Sequence, residues 1–276
     1  MGPMQGDLSL SGSGLGAQIG GLRISGNRTM STHAKEAAPS ASPIPANYRY
    51  WQEHGGDWAR EYDRRKKQGP KYHIAEVLIC DYMLHHAPAR VLEYGCGVGR
   101  HLRYLSQIPD LDAHGYDQSP TMARGCLDWA DPDWYASHVT VGPPTGRTAY
   151  EDGAFDIVYT ASVLVHVRPE DLGGVLTEVL RLSRGHVLHF ESRYRAGAEA
   201  YTDDHSGCWL HDVIGAYRDL GFECQDVTAG LCAQAVYRVA HRASPRWTWS
   251  PVMLGLLERM RSDLTPDAAG SSVPVS

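Results

Sequence analysis

The spacing of apolar and polar positions changes period repeatedly along this chain. Apolar runs of four to seven residues at 90–93, 113–117, 138–141, 155–161 and 186–191 are separated by longer stretches with helical spacing. Strands alternating with helices predict parallel pairing, hence an α/β domain. Two helices, over 45–67 and 72–86, are expected before the first strand, and a later one over 211–220, ended by Gly221. Strands over 223–228 and 232–240 then close the pattern as a hairpin, and an apolar stripe over 251–262 suits one more short helix. Residues 1–46 are rich in Gly, Ser, Ala and Pro without an apolar period and read as a flexible tail, as do 265–276, leaving 47–264 as the folded domain.

The first of these strands runs into Glu93-Tyr94-Gly95-Cys96-Gly97-Val98-Gly99. Alternate glycines let the backbone pass close to a ligand, and a helix N-terminus follows with its amides facing the same point. Glu93 would repel a pyrophosphate and attract a cation, which favours a positively charged nucleoside over a dinucleotide. S-adenosylmethionine (SAM), with its sulfonium and ammonium groups, is such a nucleoside. A hydride-transfer domain prefers G-x-G-x-x-G, and here Arg100 stands in place of the last glycine. Asp117 lies 22 residues after Gly95 at the tip of the second strand, where an acid accepts hydrogen bonds from ribose hydroxyls. Ser119 before Pro120 reads as a helix start, so Met122 falls on the first turn and can cover one face of an adenine.

These residues resemble the class I SAM-dependent methyltransferases. The glycine bend looks like their first motif, Asp117 like their second-strand acid, and Gly153-Ala154-Phe155-Asp156-Ile157-Val158-Tyr159 with the residues through Val167 like their fourth-strand motif. The resemblance spans 72–240 and implies a doubly wound, seven-stranded, mostly parallel sheet with an antiparallel last strand, helices on both faces, and extra N-terminal helices roofing the cofactor. One departure is the stretch after the third strand, where many relatives carry an adenine-binding acid. Here Gly142-Pro143-Pro144 follows, so adenine would be met by backbone groups or by Gln118. The cofactor set expected is Glu93, Gly95, Cys96, Gly97, Asp117, Gln118, Met122, Gly142 and Thr160, holding SAM and, after reaction, S-adenosylhomocysteine.

Composition narrows the acceptor. The chain has 276 residues and a formal net charge of −6, from 26 basic and 32 acidic residues. That balance argues against a nucleic acid gripped through its phosphates. The one basic run, Arg64-Arg65-Lys66-Lys67, falls near a helix end, where cations complement the dipole. Six cysteines without a C-x-x-C, no membrane-length apolar window and no secretory leader pattern suit a reduced, cytoplasmic protein. The expected partner is a small-molecule acceptor, with no nucleic acid and no membrane, and with a homodimer allowed.

Methyl transfer needs alignment and, where the nucleophile must lose a proton, a base. His166, after the fourth strand, is the first candidate, and its bland alternative is a cap for the turn before Pro169. His205, His211 and Glu191 compete with it. His205, Cys208 and His211 recur at three-residue intervals, but zinc ordinarily needs a fourth ligand. Catechol-type relatives hold magnesium with acids near the fourth strand, whereas this chain has Thr160, Ala161 and Ser162 there, so no metal is expected. Tyr48, Tyr50, Trp51, Trp58 and Tyr62 crowd the first helix. Their spacing suits a helix packed on the sheet; it equally suits a stacking surface for a flat or cationic acceptor. Tyr50, Trp51, Tyr62 and Trp209 are the substrate candidates. The acceptor expected is an aromatic, natural-product-like small molecule such as an indole or phenol, methylated at O, N or an electron-rich carbon. An RNA or protein methyltransferase and a non-catalytic SAM-binding protein are the alternatives.

Overall fold

Seven strands lie in one sheet: β1 (Ala89–Tyr94), β2 (Leu111–Asp117), β3 (Val139–Val141), β4 (Phe155–Ala161), β5 (Ser183–Ser192), β6 (Cys224–Asp226) and β7 (Gln234–Ala240). Their order is β3-β2-β1-β4-β5-β7-β6. The structure, a computed structural model, describes residues 44–67, 74–194, 207–228, 234–241 and 246–259. β1 to β5 pair in parallel, while β7 runs antiparallel to both β5 and β6. This is the doubly wound arrangement with an antiparallel last strand. The chain steps outward from β1 through β2 to β3, then crosses back to β4 on the other side of β1. Ligands of open parallel sheets bind at such a reversal, beyond the carboxyl ends of the strands.

Helices cover both faces, which is why Val91 through Tyr94 are buried without alternation. On one face α2 (Ile74–His86) and α8 (Pro251–Arg259) pack Leu78, Ile79, Met83 and Leu257 onto Val91, Ile157 and Leu188. On the other, α6 (Pro169–Leu182) and α7 (Val213–Asp219) pack Val175, Leu176, Val179 and Tyr217 onto Leu92, Val158 and Val187. Each fully buried side chain of this kind stabilises by roughly 1.5–3 kcal/mol. Short α3 (Leu102–Leu105), α4 (Pro120–Ala123) and α5 (Pro132–His138) complete the connections on the β1–β3 side.

The 21-residue α1 (Ala46–Lys66) lies over the strand ends. Gly55 lets it approach α4, because a Cβ there would collide with the Met122 side chain and lie 2.6 Å from Thr121 Oγ1. Ser119 Oγ donates to Trp51 O at 2.7 Å, Thr121 Oγ1 to Gln52 O at 3.0 Å, and Asn47 Nδ2 to His166 O at 3.0 Å. The roof is thereby tied to the loops after β2 and β4.

Two strand boundaries differ from the pattern read in the sequence. β5 begins at Ser183, three residues early, because an irregularity in its pairing with β4 takes up the polar Arg184-Gly185. β6 stops at Asp226, whose carboxylate turns the chain by accepting from Thr228 N. Cys232, the tails 1–43 and 260–276, and the ends of the helices expected over 72–86 and 251–262 lie outside the described residues. Among the described residues no helix is long and apolar enough to cross a membrane.

Candidate active site

A cavity of about 590 Å³ opens at the carboxyl ends of β1, β2 and β4 and is roofed by α1. Its size falls within the ~300–1,000 Å³ of small-molecule sites. The floor is the glycine bend. Gly95 and Gly97 have φ of 82° and 55°, which side chains rarely adopt, and a Cβ on Gly95 would lie 2.5 Å from Val163 Cγ2. The bend is pinned to β2, since Gly95 N and Cys96 N both donate to Tyr116 O, at 2.7 and 3.0 Å.

Asp117 organises the turn from the other side. Its Oδ2 accepts from Gly97 N and its Oδ1 from Ser119 N, each at 2.7 Å. Burial lifts its pKa to about 6, against the pull of these amide donors. Ser119 in turn caps α4 by accepting from Met122 N, as its place before Pro120 predicts. Glu93 is 2% exposed, and its Oε1 accepts from His101 Nδ1 at 2.6 Å. The other oxygen of Glu93, His101 Nε2, Gln118 Oε1 and Trp51 Nε1 are buried without a hydrogen-bond partner, and all four residues line the cavity. Buried polar atoms left this way call for a polar ligand.

Of the residues singled out in the sequence, Glu93, Gly95, Cys96, Gly97, Asp117, Gln118, Met122, His166, Trp51 and Tyr62 line this cavity. Five do not. Gly142 lies against the Tyr116 ring, which a Cβ would strike, and its N–H is spent on Asp117 O. Tyr50 faces away from the cavity and stacks on His54, with centroids 4.5 Å apart. Trp209 lines a separate, far smaller pocket beside Glu191 and His211. Thr160 is wholly buried, because strand alternation turns it behind the cavity wall. There it donates to Glu191 Oε1 at 2.8 Å and accepts from His189 Nδ1 at 2.7 Å, while Tyr217 donates to His189 Nε2 at 2.6 Å. His205 lies outside the described residues. His211 is buried, its Nε2 2.9 Å from Val167 O, and Cys208 Sγ lies 3.8 Å from His166 Nδ1.

Glu191, expected as a base, is instead a buried clamp. Its Oε1 also accepts from Val163 N and Leu164 N, both at 3.1 Å. These bonds fix the turn after β4, where Ser162 holds a φ of 56° that non-glycine residues seldom adopt. Burial raises the Glu191 pKa to about 7. A carboxyl whose folded value lies above its unfolded one favours folding in its protonated form, and that advantage is lost as pH rises through about 7. Glu191→Gln, which keeps the accepting oxygen without the charge, is therefore expected to match wild type at pH 4.5 and to exceed it at pH 8 by on the order of 1–3 kcal/mol. Denaturant unfolding at the two pH values checks this. A folded Glu191→Gln protein without turnover would return Glu191 to the list of bases.

Arg65, Arg100 and His101 also form the wall, although the sequence had given them no role there. Arg65 lies 5.0 Å over the Trp58 ring and Arg100 5.0 Å over Tyr62. Arg100 also stands 3.7 Å from Glu76 Oε1. Helical spacing relates Arg65 to Trp58 and Tyr62, and this was the available signal. His101 gave none, since its role depends on where Glu93 points.

Residues 91–185 match the family described as "Methyltransferase domain". No curated protein matches the chain in sequence. Solved structures share its fold at low identity. Magnesium protoporphyrin IX methyltransferase (ChlM) from Synechocystis PCC 6803, with bound SAM, is 16% identical with a TM-score of 0.52, over 74% of this chain and 100% of that one. A chain of the complex between the Haloferax volcanii Trm112 methyltransferase activator and the putative methyltransferase is 16% identical with a TM-score of 0.51, over 68% and 98%. Domain match, sheet order and glycine bend agree: residues 91–185 match a methyltransferase domain, within a sheet of the Rossmann-like methyltransferase fold. The ChlM structure holds SAM. The cavity suits that molecule, offering an unpartnered carboxylate oxygen at Glu93 for a cation, a carboxylate at Asp117 for hydroxyls, and the guanidinium groups of Arg65 and Arg100 for a carboxylate.

Proposed function

We propose that the enzyme methylates a small aromatic acceptor at oxygen, nitrogen or an electron-rich ring carbon. The observation that carries this reading is the aromatic wall that α1 sets across the cavity. Tyr48, Trp51, Trp58 and Tyr62, spaced along one helical face, all line it. Trp51 and Trp58 rings lie 5.1 Å apart, and His166 meets the Trp51 ring at 4.5 Å and 60°. Such faces bind flat rings and stabilise positive charge developing on them. The imidazole against that wall is His166, on the turn that Glu191 and Asn47 hold in place.

In this reading SAM supplies an electrophilic methyl carbon. Glu93 would lie beside its cationic groups, Asp117 would accept from the ribose hydroxyls, Arg65 and Arg100 would meet its carboxylate, and Met122 and Gln118 would border the adenine. The aromatic wall aligns the acceptor, a contribution that can reach ~7–11 kcal/mol in well-oriented reactions. The acceptor proton passes to His166. None of the five described cysteines forms a disulfide, which fits the reducing, cytoplasmic setting expected from the sequence.

A panel of phenols, aromatic amines and indoles with labelled SAM tests the proposal. Transfer to at least one class is expected. Trp58→Ala should then raise the acceptor KM by about ten-fold, the ~1.4 kcal/mol scale of a lost stacking contact, with SAM affinity little changed. Labelling of RNA or protein while the whole aromatic panel stays unmodified would overturn it.

A further inference from the structure

The sheet edge remote from the cavity carries a second cluster of ligand-type side chains. Asp112 and His114, two residues apart on β2, project from the same face. His138 closes α5 immediately before β3, whose Val139 pairs with Gly115. Asp112 Oδ1 lies 2.9 Å from His114 Nε2 and 3.6 Å from His138 Nε2. One ligand atom from each residue falls within 4.8 Å of the other two.

The hydrogen bonds fix what these atoms offer. His138 Nδ1 lies 2.9 Å from Trp134 O, and a carbonyl only accepts, so Nδ1 carries the proton and Nε2 of the neutral ring is a lone pair. His114 Nε2 is hydrogen-bonded to Asp112 Oδ1 at 2.9 Å, with Arg90 Nε 3.3 Å away. Asp112 adds a carboxylate oxygen. A metal ion would take the place of the proton between His114 and Asp112, with the neutral His114 ring carrying its proton on Nδ1 instead, and would gather the lone pair of His138 beside them. Arg90 stands 3.1 Å from Asp112 Oδ2, and its side chain is 45% exposed and can withdraw into solvent.

We propose that Asp112, His114 and His138 bind one divalent transition-metal ion of the zinc type, with water in the fourth position. Ligands of a tetrahedral ion at ~2.1 Å stand about 3.4 Å apart, and the two nearer separations here bracket that value. Two imidazoles and one carboxylate suit zinc, cobalt or nickel better than the oxygen-seeking calcium or magnesium. Trp134 supplies the outer support: its carbonyl holds His138 Nδ1, and its ring stacks on His138 at 4.6 Å and 3°. Asp112 is 49% exposed on its side chain, which gives the ion a path in and water a place to bind. The ion would staple β2 to the junction of α5 and the edge strand β3, away from the methyl-transfer chemistry.

The test uses the full chain, stripped with chelator and titrated with zinc against a colorimetric competitor, then with cobalt for its visible absorption. One equivalent should bind, raising the Tm and giving tetrahedral cobalt bands. His138→Ala and Asp112→Ala, replacements of partly exposed side chains checked for folding by circular dichroism, should each weaken that equivalent at least ten-fold and remove the Tm gain. No zinc uptake by the wild type, or an equivalent bound equally well by both folded variants, would overturn the assignment.

Discussion

Asp117→Ala is expected to weaken SAM binding by ten-fold or more, on the order of 1–3 kcal/mol, while the protein stays folded. The carboxylate stands at the end of β2 with one oxygen on Gly97 N and the other on Ser119 N. Each oxygen has a second lone pair, and these are the proposed acceptors for the ribose hydroxyls. Alanine removes those acceptors and also unpins the glycine bend, so both losses act on the same ligand. Asp117→Asn separates them, because an amide can still accept on one oxygen. Its affinity should fall between wild type and alanine. Protonation should imitate the asparagine. With the pKa lifted to about 6 by burial, SAM affinity should be full above neutrality and decline as pH falls through about 6. Asp117→Asn should lose that dependence. Calorimetry showing unchanged affinity in the alanine variant, or the same pH profile in the asparagine one, would remove Asp117 from the cofactor site.

The place of Asp117 in the cavity was legible in the sequence because it is set locally: a strand tip, a fixed distance after a glycine bend, followed by a capped helix start. The same holds for Glu93 to Gly97, where the strand end, the acid and the alternate glycines lie together in the chain, although Tyr116 and Asp117 hold the amides of the bend. Thr160 and Glu191 were misread for the opposite reason. Both stand at strand ends that do reach the site, but which face a strand-end side chain takes depends on register, and a shift of one residue reverses it. The pairing of β4 with β5 turns Thr160 and Glu191 toward each other, behind the wall, where they hold Val163 and Leu164. Tyr50 shows the same limit on a helix: it is adjacent to Trp51, yet a rotation of about 100° per residue puts it on the outer side. Arg65 belongs to a basic run that reads as a solvated helix end until α1 is seen lying over the cavity.

His166→Ala is expected to lower kcat by roughly 10²–10³-fold, within the range that a positioned base supplies, with SAM affinity changed by less than about three-fold. His166 Nδ1 lies 3.2 Å from Gly207 O, so the proton sits on Nδ1 and Nε2 is the basic nitrogen. The main chain at His166 accepts from Asn47, and its ring packs against Trp51, which together fix the imidazole beside the proposed acceptor wall. As the acceptor lone pair takes the methyl group, its proton can move to Nε2. A purely structural histidine predicts a different result, because truncation would then disturb Trp51 and reduce acceptor binding, raising KM rather than lowering kcat. Added imidazole distinguishes the two further: it can enter the space left by alanine and restore turnover only where a base is missing. Wild-type kcat in a folded His166→Ala protein would exclude His166 as the base, and the sulfur of Cys208, 3.8 Å from Nδ1, would be the next group on that wall to replace.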